Sequence, residues 1–192
     1  NLQKEAPMEQ SIITKKVIAY SFKTLMQKES FAKISVSDIM KQADLRRQTF
    51  YYHFQDKYEL IEWIYHTESQ ENISDLLDFE RWDSILKQIF VYFDREQKFY
   101  RNALAVYEQN GFSTSLYVNL RELFVKILDD PHVPSERYTD DIKVTISSFL
   151  GHGMVGIIKD WIQSGCKVPP EKMAHNVYTY FLDVCGTRRD TE

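Results

Sequence analysis

The chain is poor in the residues that punctuate and staple small folds. Six glycines and five prolines among 192 residues are too few turn formers for a fold of many short strands, which leaves helices. Only two cysteines occur, Cys166 and Cys185, in no metal-like or redox-like spacing. That disfavours a disulfide scaffold and fits a reducing compartment. No apolar run approaches the roughly 20 residues that a membrane-spanning helix needs. The opening stretch N-L-Q-K-E-A-P-M-E-Q also lacks the apolar core of a secretory signal. The expectation is a soluble, cytoplasmic protein.

Catalytic and metal signatures are equally sparse. The five histidines, His53, His66, His132, His152 and His175, share no spacing that would hold a tetrahedral metal site. Asp129-Asp130 and Asp140-Asp141 fall in a loop and at a helix start, where solvation and dipole complementation account for them without acid–base chemistry. Gly151-His152-Gly153-Met154-Val155-Gly156 matches the dinucleotide fingerprint letter for letter. A dinucleotide fold needs several alternating strands and helices, however, and only 36 residues remain after Gly156. The apolar stripe on both sides of the glycines has helical period. No cofactor, no metal and no enzyme activity are expected.

What the chain has is aromatic bulk and an uneven charge. Twelve Phe, twelve Tyr and three Trp favour helices packed through large side chains. The net charge of −4 argues against nucleic acid until the chain is divided. Residues 1–65 hold 10 Lys and Arg against 8 Asp and Glu, and the remainder 14 against 20. A mildly basic head on an acidic body permits a DNA-reading domain joined to a separate helical one.

The stretch from Ser35 to Lys57 is the most informative. Ser35 and Asp38 form a capping-box pair at the start of a short helix whose apolar face is Val36, Ile39, Met40 and Ala43. Asp44 suits a tight turn because it tolerates left-handed backbone angles, and Leu45 plugs the space between the two helices. Phe50 and Phe54, four apart, anchor a second helix over 46–54. Arg46, Arg47, Gln48, Thr49, Tyr51, Tyr52 and His53 remain for its other faces. Arg and Gln carry the forked donors and acceptors that match base edges, while Thr, Tyr, His and Lys serve phosphates. In a helix-turn-helix the N-terminal end of the second helix meets the bases.

The run T-F-Y-Y-H-F-Q-D-K, preceded by I-S-V-S-D-I-M-K-Q-A, resembles the DNA-binding domain of TetR-type transcription regulators over about residues 11 to 65. Two positions depart from the family habit: Asp44 where Gly is usual, and Arg46 where a capping Ser or Thr is usual. The resemblance implies an all-α fold, with a three-helix head over 1–65 and a helical effector and dimerisation body over 66–192. It implies that Arg47 and Gln48, with Tyr52, read bases, and that Lys33, Ser37, Thr49, Tyr51, His53 and Lys57 position the head on phosphates. It also implies double-stranded DNA carrying an inverted repeat as partner. A helical module that binds protein instead of DNA is the competing reading.

Along the chain, residues 1–10 read as frayed, and a first helix runs from about Ser11 to Lys28. A connecting helix follows from Lys57 to about Leu77. Further helices cover about 81–97, 99–109 and, after Ser113, a stripe through Leu116, Leu120, Leu123, Phe124 and Ile127. Thr139 opens a helix by side-chain capping that runs to Ser164, and Pro170 opens the last, to about Val184. These two carry more apolar surface than a short body can cover. F-L-G-H-G-M-V-G-I-I-K-D-W-I-Q-S-G resembles the small C-terminal domain of such regulators from low-GC Gram-positive bacteria. By that resemblance the two helices pair with their copies in a homodimer through Phe149, Gly153, Ile157, Trp161, Val177 and Phe181. Gly151, Gly153 and Gly156 would permit close approach. The family's effector pocket would fall at Phe93, Tyr100, Tyr107, Phe124 and His152, for a small molecule, with a protein co-regulator as the other possibility. Repression is the family default. The whole-chain pattern also resembles the activators of dihydroxyacetone kinase operons in lactic acid bacteria, which sets activation beside it.

Overall fold

The structure, a computed structural model, describes residues 2–72, 82–105, 112–130, 133 and 138–184, with side-chain surroundings for 10–68, 82–105, 112–130, 133 and 138–183. It divides into two compact units, Asn1–Glu68 with Asn102–Phe112, and Ser69–Arg101 with Ser113–Glu192. No strand occurs among the described residues.

The first unit holds α1 (Leu2–Met26), α2 (Val36–Gln42), α3 (Arg47–His53) and the start of α4 (Lys57–Asn72). The opening residues are helical from Leu2 rather than frayed; Leu, Gln, Lys, Glu, Ala and Met are good helix formers, and they outweigh Pro7 in their midst. Ile18, Phe22 and Met26 of α1 are buried with Ile39 and Met40 of α2, Phe50 of α3, and Leu60, Ile61 and Ile64 of α4. Each such side chain contributes about 1.5–3 kcal/mol by leaving water. Lys23 and Glu68 tie α1 to α4 at 2.6 Å.

The second unit contains α5 (Trp82–Arg95), the start of α6 (Gln97–Leu104), α7 (Phe112–Asp129) from Ser113, α8 (Asp140–Gln163) and α9 (Pro170–Val184). The expected end of the connecting helix at Leu77 and the expected pocket residue Tyr107 lie outside the described residues. α5 runs along α9 and also meets α8, presenting Ile85, Leu86, Ile89, Phe90, Tyr92 and Phe93 to the core. Phe90 meets Trp161 edge to face at 5.2 Å, and Phe124 of α7 meets Phe181 of α9 at 6.3 Å.

Thr139 does not cap α8 with its side chain. Its hydroxyl donates to the Asp141 carboxylate instead, which holds that carboxyl below the usual range. The glycine fingerprint lies wholly inside α8, so it cannot form the phosphate turn of a dinucleotide fold. Its glycines divide by environment. A Cβ on Gly151 would meet the Tyr117 ring at 3.2 Å and the Arg121 backbone nitrogen at 3.3 Å, whereas Gly153 and Gly156 have nothing within 4 Å. Gly151 therefore serves a close α7–α8 approach inside one subunit.

Candidate nucleic-acid interface

The hairpin begins with a complete capping box. The Ser35 hydroxyl accepts from the Asp38 backbone N–H at 3.1 Å, and Asp38 accepts from the Ser35 backbone N–H at 2.9 Å. The hydrogen bonds from Ser35, side chain first and then backbone, hold the Asp38 carboxyl below its usual range. α2 closes on Asp44, at φ 54°. The Leu45 N–H donates to Met40 O at 3.0 Å and the Asp44 N–H to Lys41 O at 3.3 Å, the bond pair of a left-handed helix end. Asp supplies this conformation where the family commonly has Gly. α3 then starts at Arg46 in extended backbone with no side-chain cap, because a guanidinium has no acceptor to offer the free N–H groups.

On α3 the buried anchor is Phe50, with Phe54 just beyond the helix end, their rings 5.7 Å apart. Arg46, Arg47, Gln48, Tyr51 and Tyr52 are exposed, Thr49 and His53 half-buried. Tyr52, at 83% exposure, is a large ring held in water. Arg47 donates to the Tyr51 hydroxyl at 3.2 Å, and its guanidinium carbon lies 5.6 Å from that ring. The pair pre-shapes a flat cationic surface on the outer side of the helix. His53 stands edge-on to Tyr52 at 5.0 Å. Burial, and then the charge of Lys15, push its pKa down, so the imidazole is neutral at physiological pH and carries one donor.

Lys33 and Ser37 are exposed, at the end of the short 3-10 turn Phe31–Lys33 and in the first turn of α2. Lys57 is different. Its ammonium donates to Phe31 O at 2.8 Å and to Ile34 O at 2.5 Å, and it sits 4.2 Å above the Phe31 ring. Lys57, half-buried, thus holds two backbone carbonyls of its own unit. Lys15 was missed by the sequence reading. Its ammonium lies over the Phe54 and Trp63 rings at 5.4 and 5.8 Å, beside the end of α3. Its place on α1 at i−3 from Ile18 was the one signal available.

In the body, the expected interface residues part company. Phe149 is 66% exposed, Gly153 and Ile157 are exposed and Val177 half-buried. Trp161 and Phe181 are buried in their own subunit: Trp161 packs on Phe90 and donates its indole N–H to Val168 O at 2.8 Å, and Phe181 packs on Phe124. Ile142 and Tyr180 extend the exposed apolar face instead. Tyr107 lies outside the described residues, and the other expected pocket residues have the following neighbours. Phe93 and Tyr100 pack edge to face at 4.7 Å, Phe124 belongs to the Phe181 pair, and exposed His152 stacks on Tyr117 at 3.9 Å. A cleft of about 500 Å³ does exist on the outer side of α5 and α9, lined by Asp83, Lys87, Glu171, His175, Tyr178 and Asp183 among others; none of the expected pocket residues borders it. Among the described residues no cluster of His, Cys, Asp or Glu could hold a metal ion. No helix among them is long and apolar enough to cross a membrane.

Known proteins place this geometry. The family described as bacterial regulatory proteins, tetR family, matches residues 23–64, and the transcriptional regulator C-terminal region matches residues 80–183. The HTH-type dhaKLM operon transcriptional activator DhaS of Lactococcus lactis subsp. lactis (strain IL1403) is 37% identical over 136 residues, 71% of this chain and 72% of its own length. A solved structure of the dihydroxyacetone kinase operon activator DhaS superposes with a TM-score of 0.74 at 32% identity, covering 92% of this chain and 98% of the other. A TetR transcriptional regulator from Streptococcus agalactiae 2603V shares the fold, with a TM-score of 0.66 at 19% identity over 95% and 98% of the two chains. These relatives are transcription regulators rather than enzymes. A hairpin with a buried aromatic anchor and an outward Arg–Gln–Tyr face, joined to a helical body and matched in both parts, makes this chain a member of the TetR family of transcription regulators, which bind DNA and act as dimers.

Proposed function

We propose that the chain binds an inverted-repeat operator as a homodimer and activates an operon for dihydroxyacetone phosphorylation, as its relative's name states for that protein. One observation carries the DNA part. α3 is anchored by a fully buried Phe50 while Arg47, Gln48, Tyr51 and Tyr52 on the remaining faces stay in water. A seven-residue helix gains nothing from exposing two tyrosines, an arginine and a glutamine unless another surface covers them. Their donors match base edges and phosphates.

In this reading residues 1–65 supply the head and 66–192 the body. Arg46, Arg47 and Gln48, with Tyr52, face bases; Lys33, Ser37, Thr49, Tyr51 and His53 face phosphates. Lys57 supports them from inside. The exposed face of α8, through Ile142, Phe149, Gly153 and Ile157, with Val177 and Tyr180 of α9, meets its copy across a two-fold axis. Two heads then reach successive major grooves about 34 Å apart. A small molecule or a protein co-regulator acting on the body sets the affinity of the heads, in the cytoplasm where the operon is transcribed.

The test is a duplex selected from a random pool by the wild-type chain, followed by a salt titration. Affinity for an inverted repeat should fall linearly on a log–log plot with a slope set by the number of neutralised phosphates. Binding that ignores salt, or a selected pool without a two-fold repeat, would sink the proposal.

A further inference from the structure

The sequence reading closes the head near residue 65, yet one end of α1 is finished by a side chain from α6. The last carbonyls of a helix have no partner within it. The Asn102 side-chain amide donates to Met26 O at 2.9 Å and to Glu29 O at 3.1 Å. Only this amide orientation is tenable, since the flipped one would set three carbonyl oxygens against each other. Lys57 does the matching job a few residues later, on Phe31 O and Ile34 O. The last carbonyl of α1 and three in its connection to α2 are therefore held by two side chains that arrive from elsewhere in the chain. That connection carries exposed Lys33 and leads directly into the Ser35–Asp38 capping box and α2.

Asn102 is also the first residue of the stretch that clusters with the head, while Arg101, its neighbour, clusters with the body. Within the body, Arg101 donates to Ile162 O, at the end of α8, at 3.2 Å. Consecutive residues of one helix thus close the C-terminal ends of α1 and of α8, each inside its own unit.

We propose that Asn102 is a positioning residue for DNA binding: its amide sets the stance of the α1–α2 connection, and hence of Lys33, Ser37 and the α2–α3 hairpin, without touching DNA. The inference rests on the DNA-binding reading above and adds to it a residue outside the head's own sequence.

The test uses the full chain, the duplex selected by the wild type, and a scrambled duplex of equal length. Asn102→Asp keeps the shape but removes both donors and faces a carboxylate with two carbonyls; Asn102→Ala removes the group. Both should lose roughly tenfold or more in affinity for the selected duplex, the scale expected for two lost hydrogen bonds, while affinity for the scrambled duplex, which the displaced Lys33 and Ser37 serve only through phosphates, falls clearly less. Amide hydrogen exchange should quicken over residues 30–38 and stay unchanged in α8, a readout that needs no DNA. A merely structural cap would lower the melting midpoint but leave the ratio of the two affinities intact in the folded protein. An unchanged ratio, or unchanged exchange over 30–38, overturns the proposal. A wild-type chain that binds no duplex in a salt-dependent way overturns the DNA reading first and this inference with it, before any variant is made.

Discussion

α3 and α8 are built alike on one side and differently on the other. Each buries an apolar stripe in its own unit: Phe50 for α3, and Leu150, Met154, Ile158 and Trp161 for α8. On the outer side α3 shows Arg46, Arg47, Gln48, Tyr51 and Tyr52, whereas α8 shows Ile142, Phe149, Gly153 and Ile157. The first set offers cations, planar amides and hydroxyls, which satisfy a polyanion with hydrogen-bonding edges. The second offers apolar area around glycines that add no bulk, which suits a second helix of the same kind. An uncovered face thus identifies its partner by chemistry, and the buried face says only that the helix belongs to a fold.

The largest effect is expected of Phe149→Asp. A carboxylate placed in the outer stripe of α8 should raise the dimer dissociation constant by about a hundredfold or more, the scale of an interface anchor worth ~3 kcal/mol, with the subunit still folded because the site is exposed. Sedimentation at graded concentrations reads the first effect and far-UV circular dichroism the second. An unaltered dimer would remove α8 from the interface.

Arg47→Ala sharpens the other side. Discrimination between the selected duplex and single-base variants should shrink by about 1–3 kcal/mol at one half-site position. Lys57→Ala should act otherwise, since its ammonium is spent on Phe31 and Ile34 carbonyls. It should destabilise the head by about 1–3 kcal/mol, chiefly through the Ile34 carbonyl left without this donor, and leave the salt slope untouched. Isothermal urea melts and salt titrations separate the two variants. A slope reduced by about one charge for Lys57→Ala would restore the phosphate role.

Asp44→Gly tests the turn between α2 and α3. A non-glycine residue at φ 54° carries a steric cost of about 1–2 kcal/mol, partly offset by the greater freedom glycine gives the unfolded chain. The head should gain a few tenths to about 1 kcal/mol, seen as a raised midpoint with an unchanged m-value. The smallest effect concerns His53. Its pKa lies below the unfolded value, so between the two values the unfolded state binds more protons and stability rises with pH. The head should lose stability as pH falls from about 6.5 towards the lowered value, and His53→Gln should flatten that slope. A slope that persists in the variant assigns it elsewhere.

Much of the hairpin was legible because its signals are local. A capping box spans four residues, an αL turn one, and an i,i+4 aromatic pair a single helical turn; none needs a distant neighbour to be read. The same holds for the glycine fingerprint, which helical periodicity on both sides already argued against. The body was harder. Phe149, Ile157, Trp161 and Phe181 all look alike as apolar residues on amphipathic helices. Phe149 and Leu150, or Ile157 and Ile158, differ by one position and about 100° of rotation, and only the arriving neighbour decides which of the two is covered.

From the amino-acid order alone came the helical class, the helix-turn-helix and the residues on the outer face of α3, all consequences of short-range sterics, capping and the 3.6-residue period. Tertiary structure alone decided that the Lys57 ammonium meets the Phe31 and Ile34 carbonyls, that Trp161 and Phe181 are core, and that Asn102 closes α1 from 76 residues away. Those outcomes depend on which orphan carbonyls and apolar stripes meet when helices pack, and such meetings leave no trace in local spacing.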